Sequence, residues 1–268
     1  MNEETMIGTI KRPLLKTFIF ILVIATSLTV WFIAINLLGI ETSYNNALYL
    51  LTHAFAVVVS MTIGIILVKK QKWNLAYIGV RKIEKNTLKN VFYTVPLYVI
   101  LLLPLLTTGL NGIDYQADTF KIAICIVLFH LMVVIHEEFY FRGIILSLFK
   151  HNLKKAIVIS AFLFGAMHFL NLFYLLFDND IIFSGFLVST LIQVVRTFGF
   201  GLIFAVIVIK TKSLIPVLLF HWIGNSFARI LSVPGEFVLI QSVLYTVYGI
   251  ILLIMLFKKP KPQIIKQS

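Results

Sequence analysis

Three short motifs in this 268-residue chain carry residue types that can do acid–base chemistry. The first is His136-Glu137-Glu138-Phe139-Tyr140-Phe141-Arg142-Gly143. On a helix Glu138 and Arg142 stack on one face and can form an ion pair, while Glu137 is turned about 100° from Glu138 and need not share that partner. The second is Phe164-Gly165-Ala166-Met167-His168, with Asn171 following, and the third is His221-Trp222-Ile223-Gly224-Asn225, where His221 and Asn225 project to the same side. A carboxylate beside an imidazole in a low-dielectric site can take a proton from water and make a nucleophile near neutral pH. An imidazole N–H and an amide NH₂ can hold the oxyanion of a tetrahedral intermediate, worth about 2.7–4 kcal/mol per donor. Together these are the parts of a peptide-bond hydrolase. A carboxylate and two imidazoles with water also make a catalytic zinc sphere, so Glu137, His168 and His221 are equally zinc ligands on paper. The soluble zincin motif H-E-x-x-H is absent, because Tyr140 stands where its second histidine belongs.

The elements that must position these residues are membrane helices. The chain is 60% hydrophobic and 13% charged, against about 45–50% and about 25% for a soluble domain. An ordinary soluble enzyme, a disordered chain and an outer-membrane barrel are all excluded, the last because its apolar residues alternate instead of running on. Apolar runs long enough to span a bilayer fall at 18–38, 47–68, 91–110, 120–149, 156–177, 181–209, 214–231 and 237–257. The expected fold is therefore all-α: a polytopic helical membrane protein of about eight transmembrane helices, forming a single integral membrane domain over 1–268.

Charge orders these helices. The 23 Lys and Arg against 11 Asp and Glu give a formal +12, which in a soluble protein would suggest nucleic acid. Here the basic residues gather in alternate connections: Lys11, Arg12 and Lys16, then Lys69 to Lys89, then Lys150, Lys154 and Lys155, then Lys210 and Lys212, then Lys258 onward. Glu41, Asp114 and Asp118, Asp178 and Asp180, and Glu236 occupy the connections between. The positive-inside rule then places both termini in the cytoplasm and leaves no reason for a nucleic-acid partner. The segment 69–90, basic but studded with Trp73, Leu75 and Tyr77, suits the cytoplasmic interface, with a solvated loop as the equal alternative. The first run is read as a retained helix, since it is too long for a signal-peptide core.

Of the acidic residues only Glu137 and Glu138 fall inside a span, and polar groups there mark function by default. Counted along the helices, Glu137, His168 and His221 lie at the bilayer middle or in its cytoplasmic half. His130 and His136 are expected as paired core or supporting residues, Arg229 as a side chain that snorkels to the interface, and Gly199 and Gly201 as close-packing positions. Arg196, mid-span beside Gln193, needs a partner or a cavity, with structural pairing the leading expectation over substrate binding. Cys125 reads as a small core residue.

The ordered set Glu137-Glu138-x-x-x-Arg142, Phe164-x-x-x-His168 and His221-x-x-x-Asn225 on hydrophobic helices resembles the CAAX-protease and bacteriocin-processing family of intramembrane endopeptidases, over about residues 120 to 230. The resemblance implies that Glu137 activates water with His168, that His221 and Asn225 hold the oxyanion or contribute to a metal site, and that Glu138 and Arg142 support the site by pairing. It leaves zinc and a metal-free glutamate mechanism both open. It implies a membrane-associated peptide or protein as substrate and a multi-pass protein of the cell membrane, with an Ile-, Lys- and Asn-rich composition favouring the bacterial cytoplasmic membrane. The competing reading from another class is a non-enzymatic membrane protein of the same fold that confers bacteriocin immunity or scaffolds a partner. A proton-coupled transporter is disfavoured by the absence of a repeated or broken helix pair.

Overall fold

With no water to satisfy backbone groups, apolar segments of this length fold as helices. A computed structural model describes residues 12–108, 114–115, 119–176, 183–232 and 235–258. Of the charges behind the expected topology, Lys11, Asp118, Asp178, Asp180, Lys259, Lys261 and Lys266 lie outside the described residues.

Helix α1 spans Pro13–Leu37 and has a proline in its first turn, where the missing N–H costs nothing. Helix α2, Ala47–Lys70, is capped by the Asn46 side chain and ends on Lys69 and Lys70, which complement the helix dipole. A 3₁₀ stretch, Lys85–Thr94, leads into α3, Val95–Thr108. Helix α4, Phe120–Glu138, is capped by Thr119, continues as a π-helix over Phe139–Ile145 and closes with one turn at Leu146–Leu148. Helix α5, Leu153–Met167, capped by Asn152, tightens into a 3₁₀ stretch at His168–Leu176. Helices α6, Phe183–Thr211, α7, Ile215–Ile230, and α8, Gly235–Phe257, follow.

Among the described residues seven helices are long and apolar enough to cross a membrane, counting the 3₁₀ stretches with α3 and α5, one fewer than the eight read from hydropathy. The exception is the run 214–231, whose helix α7 has 16 residues, about 24 Å at 1.5 Å per residue. Its C-terminal end passes directly into β2, Leu231–Ser232, which pairs antiparallel with β1, Asp114–Tyr115. This two-residue ladder is the only departure from an all-α fold among the described residues.

Contacts sort the connections into two ends. Lys16 Nζ meets Gln71 Oε1, Arg81 Nε donates to the Lys212 carbonyl at 2.6 Å, and Lys150 Nζ donates to the Tyr77 carbonyl at 3.0 Å. Lys154 lies over the Phe257 ring at 5.0 Å. The start of α1, the 71–90 segment, the α4–α5 and α6–α7 turns and the end of α8 therefore share one basic end. The β1–β2 pair marks the other. Helix α7 runs from the one to the other, from Leu214, whose N–H donates to the Gly79 carbonyl, to β2.

The core sits around the α4 π-helix. Residues Phe139 through Ile145 are all buried, and so is Leu202 through Val208 of α6, the pattern of a helix surrounded by others. Phe18, Phe55, Phe92 and Phe162 point outward, more than 60% exposed, an apolar jacket that only lipid would cover. The expected glycine packing is present. A Cβ on Gly201 would lie 2.6 Å from Ala161 Cα of α5, and one on Gly199 would lie 2.8 Å from Thr246 N of α8.

Candidate active site

Glu138 is wholly buried, and its Oε1 accepts from Arg142 Nη1 at 3.2 Å. The i,i+4 pair expected from the sequence is thus formed across the α-to-π transition. The guanidinium sits 4.0 Å from the Phe164 ring centre and 5.1 Å from that of Phe204, so two aromatic faces supply the rest of its environment. The same Glu138 oxygen lies 2.8 Å from His221 Nδ1. A carboxylate paired with Arg142 is an acceptor, so Nδ1 carries a proton and Nε2 faces the other way.

That other way is toward Glu137. His221 Nε2 lies 3.5 Å from Glu137 Oε2, and the Glu137 side chain is 22% exposed where Glu138 is at 0%. His221 therefore bridges the two adjacent carboxylates: one fixed and neutralised, the other reachable. Trp222 Nε1 donates to the Val127 carbonyl at 2.8 Å, pinning α7 to α4 beside that bridge.

His168 is placed one ring away. Its Nδ1 lies 2.9 Å from the Phe164 carbonyl, which can only accept, so Nδ1 carries the proton and the neutral ring presents Nε2 as a free acceptor. Phe164 stands between the histidines, with ring centres 5.4 Å from His168 and 5.9 Å from His221. Asn225 lies one turn beyond His221, partly buried, and its amide makes no hydrogen bond among the described residues. The sequence-predicted residues Glu137, Glu138, Arg142 and His221 are thus in direct contact, His168 joins them through Phe164, and Asn225 lies one turn along α7 from His221. Asn171 faces elsewhere, into a cavity of about 100 Å³ shared with Trp31 and His53.

No three His, Cys, Asp or Glu side chains gather as a metal-ligand set among the described residues. His130 and His136 behave as the expected paired core residues: His130 Nδ1 donates to the Ile126 carbonyl at 2.8 Å, and His136 Nε2 lies 2.9 Å from Ser60 Oγ.

Ser60 was not singled out by its type or spacing, yet it organises the outer flank of the site. Tyr140 O–H donates to the Ser60 carbonyl at 2.7 Å, and Gly64 one turn on leaves room for the phenol, since a Cβ there would lie 2.6 Å from the Tyr140 oxygen. The small-x-x-x-small pattern of Ser60 and Gly64 is the signal that could have found it.

Residues 119–227, which contain Glu137, Glu138, Arg142, His168, His221 and Asn225, match the family model described as Type II CAAX prenyl endopeptidase Rce1-like. No curated protein and no solved structure matches the chain. The family expected from the ordered motifs is therefore the one found, over the same stretch of chain.

Proposed function

We propose that this chain is an intramembrane endopeptidase that hydrolyses a peptide bond of a membrane-associated protein or peptide with a water activated at Glu137. The observation that carries this reading is the His221 bridge, which separates a buried, Arg142-neutralised Glu138 from an accessible Glu137. With Glu138 and Arg142 cancelling, the Glu137–His221 pair is electrically neutral when it holds one proton besides the one on His221 Nδ1. Placed on His221, that proton leaves Glu137 ionised as a base beside an imidazolium acid.

Glu137 then takes one proton from water, and the free Nε2 of His168 accepts from the other O–H and orients it. The water oxygen attacks the carbonyl carbon, and charge develops on the carbonyl oxygen. The Asn225 amide, one turn from His221, is the neutral donor to that oxygen. Collapse of the intermediate sends a proton from the Glu137–His221 pair to the leaving amine. The gap of 3.5 Å between Glu137 and His221 is of the loose kind that tightens when substrate excludes water. The basic end of the bundle is assigned to the cytoplasm and the membrane to a bacterial cell.

Cells carrying wild type and Glu137→Gln at matched membrane levels test the reading by mapping new protein termini in membrane and secreted fractions. Termini that vanish in the variant are the expected result and identify the substrate as well. Identical termini with the host phenotype intact would replace the protease with a binding-only protein.

A further inference from the structure

Arg196 has the structural partner expected of it, its Nη2 donating to Gln193 Oε1 at 2.7 Å. A larger set of cations gathers in the connection between α2 and α3. Residues 69–92 hold seven Lys and Arg and one acid, Glu84, and Glu84 is already engaged by Lys212 at 3.4 Å and by Arg81 at 3.9 Å. Lys72, Lys82, Lys85 and Lys89 are exposed and make no ion pair among the described residues. The same segment leaves Leu75, Val80, Leu88 and Phe92 between 46% and 75% exposed. Cations interleaved with exposed apolar side chains suit the layer where headgroups meet acyl chains.

Depth puts the segment in that layer. The span Lys85–Thr107 joins the 10-residue 3₁₀ stretch to α3. At about 2.0 Å per 3₁₀ residue and about 1.5 Å per α residue it runs about 40 Å, against about 30 Å of hydrocarbon. Its first turns, with Lys85 and Lys89, therefore lie among headgroups, while Phe92 reaches the acyl chains.

The inner side of the segment is fastened to the two helices that build the site. Ile78 is 1% exposed, and a Cβ on Gly143 of the π-helix would lie 3.2 Å from the Ile78 carbonyl oxygen. Gly143 directly follows Arg142, the partner of Glu138. Gly79, at φ 84°, turns its carbonyl to the Leu214 N–H at 2.9 Å, and the Arg81 carbonyl accepts from Ser213 Oγ at 2.6 Å. Leu214 is the N-cap of α7, two turns before His221. One stretch of chain thus rests on α4 beside Arg142 and on the start of the helix that carries His221.

We propose that residues 72–92 form a strap that docks anionic phospholipid headgroups of the leaflet at the basic end, and that docked lipid holds Ile78 on Gly143 and so steadies α4 against α7. Phosphate is the chemistry the four lysines recognise, each adding roughly fivefold at an anionic surface. A lipid is the source that also covers Leu75, Val80, Leu88 and Phe92, which a free phosphate leaves in water. The strap goes beyond the endopeptidase reading and does not depend on it.

The test places the full-length chain in nanodiscs of phosphatidylcholine, alone or mixed with phosphatidylglycerol, and reads two quantities. The first is the ratio of the two lipids that stays with the protein when it is extracted in mild detergent. Phosphatidylglycerol should be enriched, each of Lys72→Gln, Lys82→Gln, Lys85→Gln and Lys89→Gln should cut the enrichment about fivefold or less, and the fourfold variant should abolish it. Lys258→Gln, exposed at the same end but off the strap, should leave it intact. The second quantity is the unfolding temperature, which phosphatidylglycerol should raise by about 2–4 °C or more in the wild type. Ile78→Ala should keep the lipid enrichment and lose that rise; if it does not fold, Ile78→Val should lose part of the rise. Enrichment that survives the fourfold variant, or that Lys258→Gln reduces as much as a strap lysine does, would overturn the docking surface. Inorganic phosphate that reproduces the rise in phosphatidylcholine discs would replace the lipid with a soluble anion. A full rise retained by the Ile78 variants would overturn the coupling to α4. Neither readout requires cleavage, so the strap and the endopeptidase reading fail separately.

Discussion

Glu138 has no water around it, so its charge depends on Arg142 and on the His221 N–H. Removing one member of a buried pair leaves the other charge uncompensated, which costs about 3–5 kcal/mol. Glu138→Gln is therefore expected to lower the unfolding temperature and the membrane level of the protein. The partly exposed Glu137→Gln should accumulate like wild type and lose activity alone. Thermal unfolding in detergent separates the two, and equal stability of the variants would refute the division of labour. The double variant Glu138→Leu with Arg142→Met should recover stability without activity, since a buried pair is often no better than apolar side chains of similar volume. At this scale the Glu138–Arg142 pair was readable, because i,i+4 spacing on one helix is local information. The His221 bridge was not, because it depends on how α7 is rotated against α4, which Trp222 and its bond to the Val127 carbonyl decide.

Helix α4 loses α-helical register directly after Glu138, and the π-helix Phe139–Ile145 is buried on every side. A π insertion is costly in isolation and is commonly retained where it serves a site. Here it turns Tyr140 to the Ser60 carbonyl while Arg142 still reaches Glu138. Hydrophobic periodicity cannot reveal such a segment when all its residues are apolar-facing, which is why the sequence showed one continuous run from 120 to 149. Ser60→Ala removes the hydrogen-bond partner of buried His136 and is expected to cost about 1–3 kcal/mol. If the Ser60 contact positions α4, activity should fall by more than the lost folded population explains. Activity normalised to folded protein is the readout, and an unchanged value would confine Ser60 to packing. On the opposite flank, Gly201→Val would press on Ala161 of α5, an overpacking cost of about 1–3 kcal/mol. Because α5 carries His168 at its end, both the unfolding temperature and the rate should drop.

Across the described residues, the contacts gather at one end the connections in which the basic residues cluster. Helix number was readable from hydropathy because spanning lengths are set by the bilayer. The shortness of α7 was not, since Leu231 and Ser232 are as compatible with helix as with the strand they form. The ladder between β2 and β1 ties the end of α7 to the connection before α4, the two helices that carry His221 and both glutamates. Sidedness is then a single binary question for the whole bundle. Cys125 is the only cysteine, so a Cys125→Ser background allows one introduced thiol to be labelled at a time. Lys72, Lys154 and Lys258 are exposed at the basic end, and Glu41 is exposed at the other. In intact bacterial cells a membrane-impermeant maleimide should label Glu41→Cys and spare Lys72→Cys, Lys154→Cys and Lys258→Cys until the membrane is opened. The reverse pattern would invert the bundle and move Glu137 and His221 into the outer half of the bilayer. Labelling Lys72 and Lys258 from opposite sides would show that α7 does not cross, leaving an odd number of spans.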